Sequence, residues 1–136
     1  MTYVADTSVV LPALADGGAA GDAARAALEV TPDVLLAPAL LDTEVAQALR
    51  GRVRGGKMGA GSAAGALADL ASLPIQRCDA VPLLARIWEL RDNLTAYDAT
   101  YVALAELLGA VLITADSRIV KSSRPRCEFR HVRCAG

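Results

Sequence analysis

"NLTAYDATYVALAELLGAVLITAD", residues 93–116, decides the fold. The Asp92-Asn93 break is followed by an Ala- and Leu-rich run that reads as a helix over 96–108, closed by Gly109. The apolar run 111–114 then reads as a short strand. Asp116 stands just past the strand end. A long apolar helix feeding a short buried strand is half of a βαβ unit, so the rest of the chain must show whether that unit recurs.

The pattern does recur on both sides. A strand over 2–6 runs into Asp6, and a short helix over 9–15 ends at Asp16-Gly17-Gly18. A second helix fits 22–29 and ends at Thr31-Pro32. A strand over 34–36 precedes a long helix over 38–54, which stops at Gly55-Gly56. An Ala-rich helix over 62–72, a strand over 75–78 and a helix over 81–91 lead back to the opening stretch. Beyond it lie a short helix near 117–120 and a last strand over 128–132. This alternation predicts an α/β protein: a three-layer α/β/α sandwich with a mainly parallel central sheet of four or five strands. No repeat or linker divides the chain, so residues 1–136 are expected to form one domain.

The totals agree. A chain of 136 residues buries roughly two-thirds of its unfolded surface, enough for a core without staples. Apolar residues make up 54%, which argues against disorder. No uncharged run approaches the ~18 residues that cross a bilayer, and Asp6 interrupts any signal-like segment, so the expectation is a cytoplasmic protein with no membrane association. Cys78, Cys127 and Cys134 form no C-x-x-C pair, and their odd number argues against a disulfide framework. Net charge is −1, so bulk charge announces no nucleic-acid binder. Arginine is nevertheless clustered, at Arg50, Arg52 and Arg54 with Lys57, and at Arg124, Arg126, Arg130 and Arg133 with His131.

Four acids sit where chemistry is expected. In a parallel sheet, ligands bind beyond the C-terminal strand ends, where strand order reverses. Asp6 and Asp116 each follow a strand. Glu44, in "LLDTEVAQAL" (40–49), rides at the edge of a buried helical stripe, and Asp98 lies in the first turn of an apolar helix. Each has a plain alternative: Asp6 and Asp116 as helix caps, Asp98 within a capping box with Thr95, Glu44 as a snorkelling surface residue. Gathered at one mouth, they would repel and raise one another's pKa values. A divalent cation removes that cost, and oxygen-only ligands favour Mg²⁺ or Mn²⁺ over Zn²⁺. His131 is the sole histidine, which excludes two-histidine ribonuclease chemistry within one chain. A metal-activated water attacking a phosphodiester needs no histidine. No G-x-x-x-x-G-K-[ST] or G-x-G-x-x-G motif is present.

"VADTSVV" (4–10), "LLDTEVAQAL" and the opening stretch, with the order and spacing of the four acids, resemble the PIN-domain family and its VapC-type toxins. The resemblance implies a Mg²⁺-dependent endoribonuclease in which Mn²⁺ can substitute. Asp6 and Asp98 match the principal metal-binding acids, and Glu44 and Asp116 complete the acidic pocket. Thr7, Ser8 and Thr114 match small hydroxyl residues that hold carboxylates or contact the scissile phosphate; a cap or strand-end turn is their alternative. The resemblance further implies an RNA substrate, a homodimer and a cognate antitoxin, with DNA met only through that antitoxin.

Two other readings are weighed. A phosphatase of the haloacid-dehalogenase type expects D-x-D at the first strand, where this chain has Ser8. A catalytically silent partner-binding module of the same fold is the stronger rival. Arg50, Arg52 and Arg54 are candidates for an RNA-binding rim, or simply cations that suit a helix C-terminus. Trp88 with Leu84 and Ile87 reads as core or dimer interface, and Tyr97 with Tyr101 as packing.

Overall fold

The structure is a computed structural model, which describes residues 1–30, 33–122 and 125–133. The Thr31-Pro32 stop, Arg124 and Cys134 lie outside the described residues. Five strands, β1 (Thr2–Ala5), β2 (Val34–Pro38), β3 (Gln76–Cys78), β4 (Val111–Thr114) and β5 (Glu128–His131), form one sheet in the order β3-β2-β1-β4-β5. Every pairing is parallel. The helices are α1 (Thr7–Ala15), α2 (Gly18–Ala27), α3 (Leu40–Arg54), α4 (Ala60–Ser72), α5 (Leu84–Glu89), α6 (Ala96–Leu108) and α7 (Ser117–Lys121), with a 3₁₀ turn over Val81–Leu83.

The inner strands β1, β2 and β4 are apolar on both sides because helices cover both faces. Val4 and Leu112 enter one core, which holds Leu41, Val45 and Leu49 of α3 and Tyr101 to Ala105 of α6. Their strand neighbours Tyr3, Val111 and Ile113 enter a second core with Val9, Ala24 and Val132. That period-two division between two cores is the three-layer sandwich. The 4-residue spacing of Leu41, Val45 and Leu49 gives α3 one buried stripe.

Strand order carries the functional consequence. The chain moves outward from β1 to β2 and β3, then returns to lay β4 on the other side of β1. The reversal therefore falls between β1 and β4, and the C-terminal ends of these strands are where sheets of this kind bind ligands. Asp6 N–H bonds to the Ile113 carbonyl at 3.2 Å, so the two strand ends are tied at that point.

The opening stretch folds as read. Thr95 caps α6 by accepting from the Asp98 N–H at 3.1 Å, and Gly109 ends it in the left-handed conformation at φ +60°. Two helices depart from expectation. α2 starts at Gly18, not near 22: Gly18 takes the turn at φ +72°, and Gly21 serves close packing. A Cβ on Gly21 would lie 1.9 Å from the Asp16 carbonyl oxygen. Arg25 then reaches back to the Ala13 and Asp16 carbonyls at the end of α1, at 3.1 and 2.9 Å. The expected helix over 81–91 is a 3₁₀ turn followed by the short α5. It buries Ile87 but leaves Trp88 67% and Leu84 54% exposed, so the core reading of those two residues is corrected. Tyr97 is also exposed, whereas Tyr101 is buried.

Candidate active site

Asp6 is the centre of the site. It follows β1 directly and, in extended conformation, caps α1. The residue is 4% exposed. Oδ1 accepts from the Ser8 N–H at 3.1 Å and the Ser8 hydroxyl at 2.5 Å; Oδ2 accepts from the Thr114 hydroxyl at 2.6 Å. Capping and a place in the pocket are therefore properties of one carboxylate, not alternatives. Ser8 Oγ in turn accepts from the Ala115 N–H at 2.8 Å, and Thr114 Oγ1 from the Asp116 N–H at 3.0 Å. These bonds lock the end of β4 to the start of α1.

Burial pushes Asp6 up to about 6, against the opposing hydrogen bonds of Ser8 and Thr114, with the charges of Asp116 and Asp98 adding to the rise. Asp98, half-buried on α6, is also raised, by burial first and then by Asp116, with Glu44 contributing. The four acids thus share one electrostatic neighbourhood, although four separate elements deliver them. Asp116 breaks the pattern of mutual elevation. It caps α7, and its carboxylate takes Arg118 Nε at 3.1 Å, a terminal guanidinium nitrogen at 2.7 Å and the Arg118 N–H at 2.9 Å. Arg118 holds Asp116 below the usual carboxylate range.

Glu44 sits on α3 beside the pocket. Its Oε1 accepts from the Thr7 hydroxyl at 2.9 Å and from the Tyr101 hydroxyl. Thr7 Oγ1 and Tyr101 Oη lie 3.0 Å apart. Thr7 therefore serves Glu44, while Ser8 and Thr114 serve Asp6.

The donor set is all oxygen and carries excess negative charge, which suits a hard divalent cation. A buried carboxylate lifted to about 6 is a group whose charge lacks a partner. Asp6, Asp98 and Asp116 are the candidates for such an ion. Among the described residues, no three acids, histidines or cysteines are gathered closely enough to hold one ion as they stand. Asp6 is turned to its two hydroxyls and Asp116 to Arg118. A groove between α1, α2 and α4, lined by Ala13, Leu14, Leu28, Asp69 and Leu73, includes none of the four acids.

The arginines named as a candidate RNA-binding rim lie elsewhere. Arg52 forms a bidentate pair with Asp16 at 2.6 and 3.3 Å, bracing the end of α1 against the last turn of α3. Arg50 and Arg54 line a groove between α3 and α4 with Ala63 and Leu67, again without the acids. In the C-terminal segment, Arg130 stacks 4.7 Å over the Tyr3 ring. Sequence reasoning missed Tyr101 and Arg118. Tyr101 follows Asp98 by three residues and so shares its helix face, a signal available from spacing alone.

The PIN domain family model matches residues 3–124. The chain is similar to ribonuclease VapC9 of Mycobacterium tuberculosis, with 40% identity over 124 residues, 91% of this chain and 93% of that protein. It is also 40% identical to ribonuclease VapC1 of the same organism over 131 residues, 96% of this chain and 97% of the relative. Its backbone resembles that of M. tuberculosis VapC20, a sarcin-ricin loop cleaving toxin, at TM-score 0.69 and 19% identity, covering 87% of this chain and 92% of the other. It likewise resembles a chain of Rickettsia felis VapBC2 bound to a promoter DNA fragment, at TM-score 0.71 and 14% identity, covering 97% and 99%. With its acids at the β1/β4 reversal and a family match over most of its length, this chain belongs to the PIN domain family, among the relatives of the VapC ribonucleases.

Proposed function

We propose that this protein is a Mg²⁺-dependent endoribonuclease toxin that cleaves RNA phosphodiester bonds and is neutralised by a cognate antitoxin. The observation that carries the reading is Asp6, buried at the strand-order reversal, clamped by Ser8 and Thr114, and raised further by Asp98 and Asp116. Relatives at 40% identity are named ribonucleases, which supports the same activity here. Asp6, Asp98 and Asp116 hold the cation, and Mn²⁺ can take its place. The cation supplies neutralisation of the scissile phosphate and acidification of the attacking water. Glu44 orients that water through Oε2, the oxygen not bonded by Thr7 or Tyr101. No histidine stands among these residues to protonate a leaving group, so the chain's own contribution is charge and orientation.

Resemblance to a solved toxin–antitoxin complex from Klebsiella pneumoniae supports an antitoxin partner. An acidic pocket suits a partner's arginine through charge-assisted, bidentate pairing. The protein works in the cytoplasm as a single domain over residues 1–136, as a homodimer, and meets DNA only through the antitoxin. No helix among the described residues is long and apolar enough to cross a membrane.

The test is cleavage of a structured RNA by the wild type, Asp6→Asn and Asp98→Asn, with Mg²⁺ and with EDTA. Cleavage only by wild type with Mg²⁺ is expected. Equal activity in all three, or activity that survives EDTA, defeats the reading. Absence of cleavage under every metal condition, with retained antitoxin binding, makes the chain a silent partner-binding module of the same fold.

A further inference from the structure

Three oxygens from three elements meet beside the acidic pocket: Thr7 Oγ1 on α1, Glu44 Oε1 on α3 and Tyr101 Oη on α6. Both hydroxyls donate, and both reach the same glutamate oxygen. Oε2 has no hydrogen-bond partner among the described residues.

The two sides of this contact differ in stiffness. Tyr101 is 2% exposed and packs in the core that holds Leu41, Val45 and Val102. A core ring has one place to be. Glu44 stands on a flexible stem at the core's edge and cannot fix its own carboxylate. Asp98 lies three residues before Tyr101 on α6, so one helix face delivers both an acid of the pocket and the hydroxyl that grips a second acid.

We propose that Tyr101 is a positioning residue for Glu44: its buried hydroxyl, seconded by Thr7, pins Oε1 and commits Oε2 to the pocket. The inference rests on the reading of Glu44 as part of the nuclease site. Burial and the bond to Glu44 push the Tyr101 hydroxyl well above the usual tyrosine range, so it stays a donor at any working pH.

The experiment is a double-mutant cycle of Tyr101→Phe and Glu44→Ala. Kinetics are read on an RNA oligonucleotide with Mg²⁺. The Glu44 carboxyl resonance is read in metal-free protein carrying ¹³C-labelled glutamate. Tyr101→Phe keeps the ring and removes one oxygen. It is expected to lower kcat by roughly 10- to 100-fold at unchanged KM, as loss of a hydrogen bond to a charged group does. It should also move the Glu44 resonance without metal, and add no further loss in the Glu44→Ala background. Wild-type kcat in Tyr101→Phe alongside a crippled Glu44→Ala overturns the positioning role. An equal additional loss in the Glu44→Ala background overturns it too, since the tyrosine then acts through packing. Wild-type turnover in Glu44→Ala removes Glu44 from the proposed site, and the role of Tyr101 falls with it. Should Tyr101→Phe fail to fold, Thr7→Val removes the second donor to the same oxygen and takes its place in the cycle.

Discussion

At the scale of single residues, Asp6 trades stability for charge. Its carboxyl titrates near 6 in the folded protein and near the ordinary 3.8 once unfolded. The folded state therefore holds the proton more tightly. Between about pH 4 and pH 6 stability falls as pH rises, and above that range the loss is complete. In metal-free protein, Asp6→Asn is expected to stabilise by about 2–3 kcal/mol above pH 7 and by nothing near pH 4, because a tenfold difference in proton affinity is worth about 1.4 kcal/mol. Urea midpoints at the two pH values check it, and an equal effect at both removes the charge from the account. Arg118 predicts the opposite behaviour at Asp116. With Arg118→Ala the Asp116 carboxyl should rise from its depressed value, since the guanidinium's hydrogen bonds and charge are lost while the backbone N–H groups of residues 118 and 119 still hold it; a carboxyl NMR titration reads this. Asp6, Asp98, Glu44 and Asp116 are legible in the sequence because acids after strands and in apolar helices stand out from their surroundings. Tyr101 and Arg118 do not stand out. A tyrosine in an apolar helix looks like packing, and an arginine two residues past a cap looks like solvent. Only the spatial position of their partners gives them a role.

At the scale of elements, legibility follows the strength of local signals. The bounds of α6 and β4 are those read from the sequence, because Thr95, Gly109 and a run of four apolar or β-branched residues mark each end. The start of α2 is illegible because glycine carries two meanings. Gly17-Gly18 looks like a break, yet Gly18 turns the chain at φ +72° and Gly21 lets α2 close onto the end of α1. Gly21→Ala is expected to destabilise by about 1–3 kcal/mol, since overpacking at a backbone atom exceeds the ~1 kcal/mol gained from helix propensity. Gly65→Ala in α4, where a Cβ meets nothing within 4 Å, should be neutral or stabilising. Chemical denaturation of the pair separates close packing from propensity. The α5 region escapes the sequence for a different reason. Its apolar residues have helical spacing, but the sequence does not say which side meets protein and which meets solvent.

At the scale of the whole molecule, the sheet order is what makes four distant acids one site. Asp6 and Asp116 are neighbours only because β4 lies against β1, and α6 and α3 bring Asp98 and Glu44 to the same end. The fold therefore holds like charges together, at a cost that a bound cation would relieve. Binding at the folded site alone stabilises by about 2.7 kcal/mol when Mg²⁺ is at about a hundred times its Kd. For a chain of this length that is a rise in Tm of ~9 °C at pH 7.5. At pH 5 the rise should shrink, because Asp6 is then largely protonated and must lose its proton before it can serve as a ligand. Asp6→Asn should abolish the rise at both pH values. A rise of the same size in Asp6→Asn, measured by scanning calorimetry with Mg²⁺ against EDTA, means that the ion sits somewhere other than the β1/β4 reversal.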